Sequence, residues 1–259
     1  MGKSIKYLEK FEIAKQRFLN GEKVTDISRD LGMDAQRLRN NLRPYGYVDT
    51  NVDYGIFDKA FETIETELQA YWLGMFCADG FVSSTNSAIE LCLKDKDMVE
   101  KFKCFLNARN KVCVKRVKIN NKIKEYYRIS IHNKKIHDDL IKCGCVPRKS
   151  LILRFPTQDI VPRHLINHFV RGYFDGDGCI HKYERESYLT FSLCGTYEFL
   201  EKIKQIYNLP DNKYAMSGKI FEYKTSQKEA VNRFLDSIYA DSTVFLNRKK
   251  IIYENCRIS

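Results

Sequence analysis

From Phe11 to about residue 43 apolar positions recur at helical spacing. FEIAKQRFLNG keeps that period and stops at Asn20-Gly21, a common helix end. VTDISRDLG follows, with Thr25 as candidate N-cap and Ile27 and Leu31 as an i, i+4 apolar pair. Gly32-Met33 breaks it. Asp34 can cap a third helix, AQRLRNNLRPYG, with Leu38 and Leu42 inward and Gln36, Arg37, Arg39, Asn40 and Arg43 outward; Pro44 and Gly46 end it. Residues 47–62 lose clean periodicity and read as a linker. Beyond them the period alternates between two and helical. Ile89, Leu91 and Leu93 in AIELCLK, and Leu189, Phe191 and Leu193 in YLTFSLC, mark strands with one buried face. Helical patterns follow each strand, DMVEKFKCFLN and TYEFLEKIKQIYN. Further on, YRISIHN precedes the helical KKIHDDLIKCG, and EYKTS precedes QKEAVNRFLDSIY.

These elements form an internal repeat. QAYWLGMFCADGF aligns with NHFVRGYFDGDGC, matching Gly74 with Gly172, Asp79 with Asp177 and Gly80 with Gly178. Each half reaches a basic doublet, Arg148-Lys149 or Arg248-Lys249, at similar distances beyond its aspartate. The pattern predicts an α+β body of two αββαββα units, at 63–160 and 161–259, behind a small all-α module at 1–46.

Composition narrows the partners. The 44 Lys and Arg outnumber 33 Asp and Glu, a formal charge of +11, and such an excess favours a polyanion because neutralised phosphates release counterions. The first 46 residues have the form of a helix-turn-helix: two short helices across a Gly-containing turn. The second presents Arg, Asn and Gln, side chains able to read guanine and adenine in the major groove. A solvated helical cap is the plainer alternative. No apolar run approaches the roughly 20 residues needed to cross a bilayer, and the N-terminus lacks an apolar signal-peptide stretch. A soluble cytoplasmic protein is the expectation, with no membrane partner. The nine cysteines are scattered. They show no CxxC pair and read as free thiols of a reducing compartment.

The chemistry concentrates in the repeated helix. Gly74 and Ala78, and Gly172 and Gly176, are small residues at i, i+4, a stripe that lets two helices approach closely. Packed face to face, they bring Asp79 and Asp177 out together. Two neighbouring carboxylates repel unless a cation joins them, and hard oxygens suit Mg²⁺. Such an ion can activate water at a phosphodiester. Strand parity turns Glu90, Cys92 and Lys94, and Tyr188, Thr190 and Ser192, toward the open sheet faces, joined by Ser83, Thr85, His181 and Arg185.

Trp72-Leu73-Gly74-Met75-Phe76-Cys77-Ala78-Asp79-Gly80 and Val170-Arg171-Gly172-Tyr173-Phe174-Asp175-Gly176-Asp177-Gly178 resemble two copies of the LAGLIDADG motif, and GCVPRKSLILRFP and VFLNRKK resemble the context around it. The resemblance, over about 63–259, is to the LAGLIDADG homing endonucleases. It implies a pseudo-twofold monomer whose two sheets form a saddle on a long, non-palindromic double-stranded DNA target. It implies site-specific double-strand cleavage that promotes mobility of a host intron or gene. It implies metal bound by Asp79 and Asp177 with the carbonyls of Ala78 and Gly176. Lys149 and Lys249 would lie around the metal-bound water and scissile phosphates, with Arg148 and Arg248 on the DNA. A regulator or RNA maturase that keeps the fold without cutting is the alternative, although both motif aspartates are present. The Met-Gly start and NCRIS end fit a freestanding or intron-encoded enzyme better than an intein.

Overall fold

A computed structural model describes residues 2–42, 45, 56–119, 121–182 and 189–257. The chain divides into two compact units, Met1–Asp53 and Tyr54–Ser259. Among the described residues no helix is long and apolar enough to cross a membrane.

The first unit holds α1 (Gly2–Leu19), α2 (Val24–Leu31) and α3 (Ala35–Leu42). They close on a small core of Phe11, Ala14, Val24, Ile27, Met33, Leu38 and Leu42. Thr25 is not the N-cap of α2. Val24 is drawn into the core and starts the helix, leaving Lys23 at the cap position without a side-chain bond. Gly32 ends α2 in the left-handed region at φ 59°, where a side chain would be strained. Asp34 caps α3 by accepting from the Arg37 N–H at 2.7 Å.

The second unit repeats one order twice: α4 (Glu67–Ala78), β1 (Gly80–Val82), β2 (Ala88–Leu93), α5 (Lys96–Phe105), β3 (Cys113–Ile119), β4 (Lys122–His132) and α6 (Lys134–Lys142), then α7 (Ile166–Asp177), β5 (Gly178–Lys182), β6 (Leu189–Gly195), α8 (Tyr197–Ile206), β7 (Ala215–Ser217), β8 (Ile220–Thr225) and α9 (Lys228–Tyr239). A further helix, α10 (Asn247–Arg257), follows. The expected αββαββα units are thus present in an α+β body. Each carries a four-stranded antiparallel sheet, ordered β1-β2-β4-β3 and β5-β6-β8-β7. Ile89 pairs with Ile131 and Leu91 with Ile129. All four are buried, so this face of the first sheet lies on the core and the alternate residues face away from it.

The small-residue stripe does what its spacing suggests. A Cβ on Gly74 would sit 2.0 Å from the Phe169 carbonyl oxygen, and one on Gly172 only 1.9 Å from that of Tyr71. Backbone therefore lies against backbone where α4 crosses α7. One end of this seam is locked by an ion pair whose arginine is fully buried and whose glutamate is half-buried. The Arg171 guanidinium donates to Glu67 Oε1 at 2.6 Å and to the carbonyls of Ile238 and Val244 at 2.7 and 2.9 Å. Glu67 also accepts from the Thr243 N–H and hydroxyl. Such a pair, with its remaining donors satisfied, fixes the register of the two repeats more than it adds net stability.

Candidate metal centre and nucleic-acid interface

Thr66 and Gln69 form a reciprocal capping box that starts α4. From there the helix runs buried to its other end, where Asp79 is the C-cap residue. Asp177 is the last residue of α7. The crossing brings these two ends together: Asp79 Oδ2 lies 3.3 Å from the position a Cβ on Gly176 would take. Asp79 opens to solvent and Asp177 is half-buried. The surrounding protein mass desolvates both carboxyls and raises them above their ordinary value. Asp177 is pushed to about 6, by desolvation first and the Asp79 charge second.

The lysines lie beneath this pair and point at backbone. Lys149, buried, donates to the Gly80 carbonyl. Lys249, also buried, donates to the carbonyls of Phe174 at 2.5 Å, Asp175 at 2.8 Å and Gly178 at 2.5 Å. Burial lowers Lys249 to about 8. Both amines therefore brace the main chain around the aspartates and moderate their repulsion from a distance.

A carboxyl whose folded pKa is raised contributes stability below its unfolded value, and that stability is lost as pH rises through the folded value. In metal-free protein the cost of ionising Asp177 accumulates between about pH 4 and 6. Asp177→Asn should therefore raise stability at pH 7.5 by about 1–3 kcal/mol, an effect that disappears near pH 4. Denaturant unfolding in a chelator at both pH values checks it; equal stability of the two proteins at pH 7.5 would contradict the assignment.

The model of the WhiA LAGLIDADG-like domain matches residues 68–138 and 166–257, one stretch in each repeat. The chain belongs to this LAGLIDADG-like family. The LAGLIDADG resemblance of the two motifs is thus matched by a model of the WhiA type. Comparison with curated proteins finds no match. Among solved structures the homing endonuclease I-WcaI, bound to its DNA recognition sequence, is similar at 12% identity and TM-score 0.54, over 74% of this chain and 88% of that one. The meganuclease I-AabMI bound to uncleaved DNA is 16% identical, with TM-score 0.45, over 73% and 89%. The N-terminal LAGLIDADG domain of DUF199/WhiA is 14% identical, with TM-score 0.42, over 75% and 88%. At such identities the likeness is one of fold.

On the first LAGLIDADG-like sheet Glu90 is half-buried, with Arg128 at 3.7 Å, and Lys94 and Thr85 are exposed. Ser83 is buried and is a turn residue rather than an open-face contact: its Oγ accepts from the N–H groups of Thr85 and Asn86 at 3.2 Å. On the second sheet His181 is exposed, its Nε2 3.0 Å from Cys179 Sγ. Thr190 and Ser192 lie on the face that parity gives them but are not open there, because both are buried. Their strand is central, and these short side chains pair with the longer His181 and Lys224 on its neighbours. Arg148 is exposed, with left-handed backbone at φ 58°. Arg248 is drawn to Asp95 at 3.2 Å, at the start of α5. In the first unit Arg37 is exposed over the Tyr7 ring at 3.9 Å and Arg39 is half-buried. Gln36 and Asn40 lie on α3, their side chains outside the described part. Arg43 and Arg185 lie outside the described residues.

Sequence reading named only the YRISIHN end of the β3–β4 pair and none of its basic residues: Lys115, Arg116, Lys118, Lys122 and Lys124 are exposed there. Its signal was the alternation in VKRVKINNKIKEYY. The corresponding strands of the second repeat, β7 and β8, span three and six residues against seven and eleven in β3 and β4. The basic surface is therefore unequal between the repeats.

Proposed function

We propose that this chain binds double-stranded DNA and cuts both strands by metal-dependent phosphodiester hydrolysis, as a site-specific endonuclease. The observation that carries the reading is the convergence of Asp79 and Asp177 at one end of the α4–α7 seam, with Asp177 raised partly by the Asp79 charge. A divalent cation fits this donor set. The carboxylates supply hard oxygens, their repulsion is what a cation relieves, and Gly176 adds no side chain beside Asp79. The carboxylates of Asp79 and Asp177 and the carbonyls of Ala78 and Gly176 would hold Mg²⁺. When bound, it would activate water and stabilise the leaving oxygen at a phosphate. The chain's own part is to present both acids ionised. It braces the loops after them through Lys149 and Lys249, and engages phosphates through the basic β3–β4 hairpin.

Purified protein in Mg²⁺ should linearise a plasmid bearing its site, selected from a random library, and a chelator should stop it. A second reading, a DNA-binding regulator or RNA maturase that does not cut, is favoured by the match to the WhiA-type domain and by the engagement of both lysines with main-chain carbonyls. Retarded bands without strand scission under the same conditions would select it.

The first unit serves as a second DNA contact in this reading, its α3 carrying the Arg-rich face of a helix-turn-helix. Deleting residues 1–53 should weaken binding by about tenfold or more at physiological salt and shorten the protected footprint. A footprint of unchanged length would remove that role.

A further inference from the structure

We propose that Asp175 is a positioning residue that pins the start of α10 and so holds Lys249 under the second motif loop, leaving the two motif loops, one in each repeat, unequally anchored. The consequence for cutting rests on the proposed endonuclease reading.

Asp175 lies two residues before Asp177 and is buried. Its Oδ2 accepts from the Tyr71 hydroxyl at 2.8 Å and the Leu246 N–H at 2.7 Å, and its Oδ1 from the Tyr239 hydroxyl at 3.1 Å. Those donors come from α4 of the first repeat, the end of α9 and the residue before α10. The Leu246 carbonyl then accepts the first helical bonds of α10, from the N–H groups of Lys249 at 3.0 Å and Lys250 at 3.2 Å. One carboxylate thus fixes the residue from which the first turn of α10 is built. Lys249, in that turn, closes the loop by donating to the Asp175 and Gly178 carbonyls. A buried carboxylate with three donors is costly to disturb, because each donor left unpaired loses its partner away from water.

The first repeat lacks this device. Cys77 stands where Asp175 does, and its Sγ meets Cys145 Sγ at 3.2 Å, four residues ahead of Lys149. Thiol against thiol is a weak contact compared with three hydrogen bonds to a carboxylate. Among the described residues Lys149 accordingly reaches one backbone carbonyl, that of Gly80.

Two measurements on the full chain test this. In DNA-free protein, Asp175→Ala should speed hydrogen exchange of the 246–250 segment about tenfold or more, the value of a lost buried hydrogen bond, and leave β1–β4 unchanged. Asp175→Asn keeps an oxygen toward the Leu246 N–H and should recover most of the protection. Should Asp175→Ala fail to fold, Tyr239→Phe removes one hydroxyl while its ring can keep its stack on Tyr253, and should give a smaller rise in the same segment. On supercoiled target plasmid, Asp175→Ala should accumulate nicked circles, one strand cut at nearly the wild-type rate and the other slowed about tenfold or more. A merely structural role would slow both strands alike, and that result overturns the proposal. So does unchanged exchange at 246–250 in both Asp175→Ala and Tyr239→Phe. A wild-type chain that binds DNA but never cuts overturns the endonuclease reading alone, and exchange then decides on Asp175.

Discussion

Asp79→Asn and Asp177→Asn, each alone, are expected to lower double-strand cutting by about a thousandfold or more, equivalent to ~4 kcal/mol of lost transition-state stabilisation, with DNA affinity nearly unchanged. The physical reason is that Asn keeps the shape but loses the charge, and a neutral amide holds a divalent cation weakly. Affinity should survive because the basic hairpin and the sheet faces lie on other elements. The Asp79 charge also raises the barrier to ionising Asp177, so removing Asp79 should let Asp177 ionise more readily. The fall in cutting is therefore expected from loss of a ligand, without any loss of charge on the partner. Strand-resolved cleavage beside a band-shift assay makes the measurement. Cutting retained in either variant would end the assignment, and binding lost together with cutting would mean that these residues hold the fold or the DNA.

The second large effect belongs to the crossing of α4 and α7. Gly172→Ala places a methyl group 1.9 Å from the Tyr71 carbonyl oxygen, and Gly74→Ala places one 2.0 Å from that of Phe169. Neither neighbour is a flexible side chain. The helices must separate, and a separated seam loses packing along its whole length. Each variant should lose about 3 kcal/mol or more, lowering the melting temperature by roughly 6–12 °C for a body of this size. Gly176→Ala provides an internal comparison, since its methyl meets the Ala78 Cβ at 2.4 Å and the Asp79 carboxyl at 3.3 Å. Its expected signature is a smaller stability loss with a disproportionate loss of cutting, because the methyl displaces Ala78 and crowds the neighbouring Asp79 carboxyl. Thermal unfolding of the three variants orders them; a Gly172→Ala protein as stable as wild type would show that the close approach is not what the sequence requires.

How far the fold could be read depended on whether an element buries apolar side chains at its own period. Strands β2 and β6 were legible because Ile89, Leu91 and Leu93, and Leu189, Phe191 and Leu193, alternate. α10 was not, because the inward face that carries Ile252, Tyr253 and Cys256 begins with a buried lysine, Lys249, while Ile251 in the same helix is 53% exposed, so its apolar period is blurred. The burial of Thr190 and Ser192 was not legible for a related reason. Alternation gives the face of a strand, but exposure on that face depends on the neighbouring strands. Arg248 was read with Lys249 as one basic doublet, yet successive residues on a helix point different ways. One goes to the main chain of the second motif and the other to Asp95.

The sequence by itself determined the repeat, the two aspartates and the small residues that let them meet, because glycine at i, i+4 states a distance between backbones in one-dimensional form. Only the tertiary structure decided how the pair is supported. Asp175, Tyr71, Tyr239 and Leu246 are separated by up to 175 residues along the chain, and no local period connects them. A buried carboxylate is tolerated only where donors converge on it, and convergence is a property of the folded chain. The pair of aspartates could thus be named from their own neighbourhoods, whereas the unequal bracing of the two lysines became visible only once distant segments were brought together.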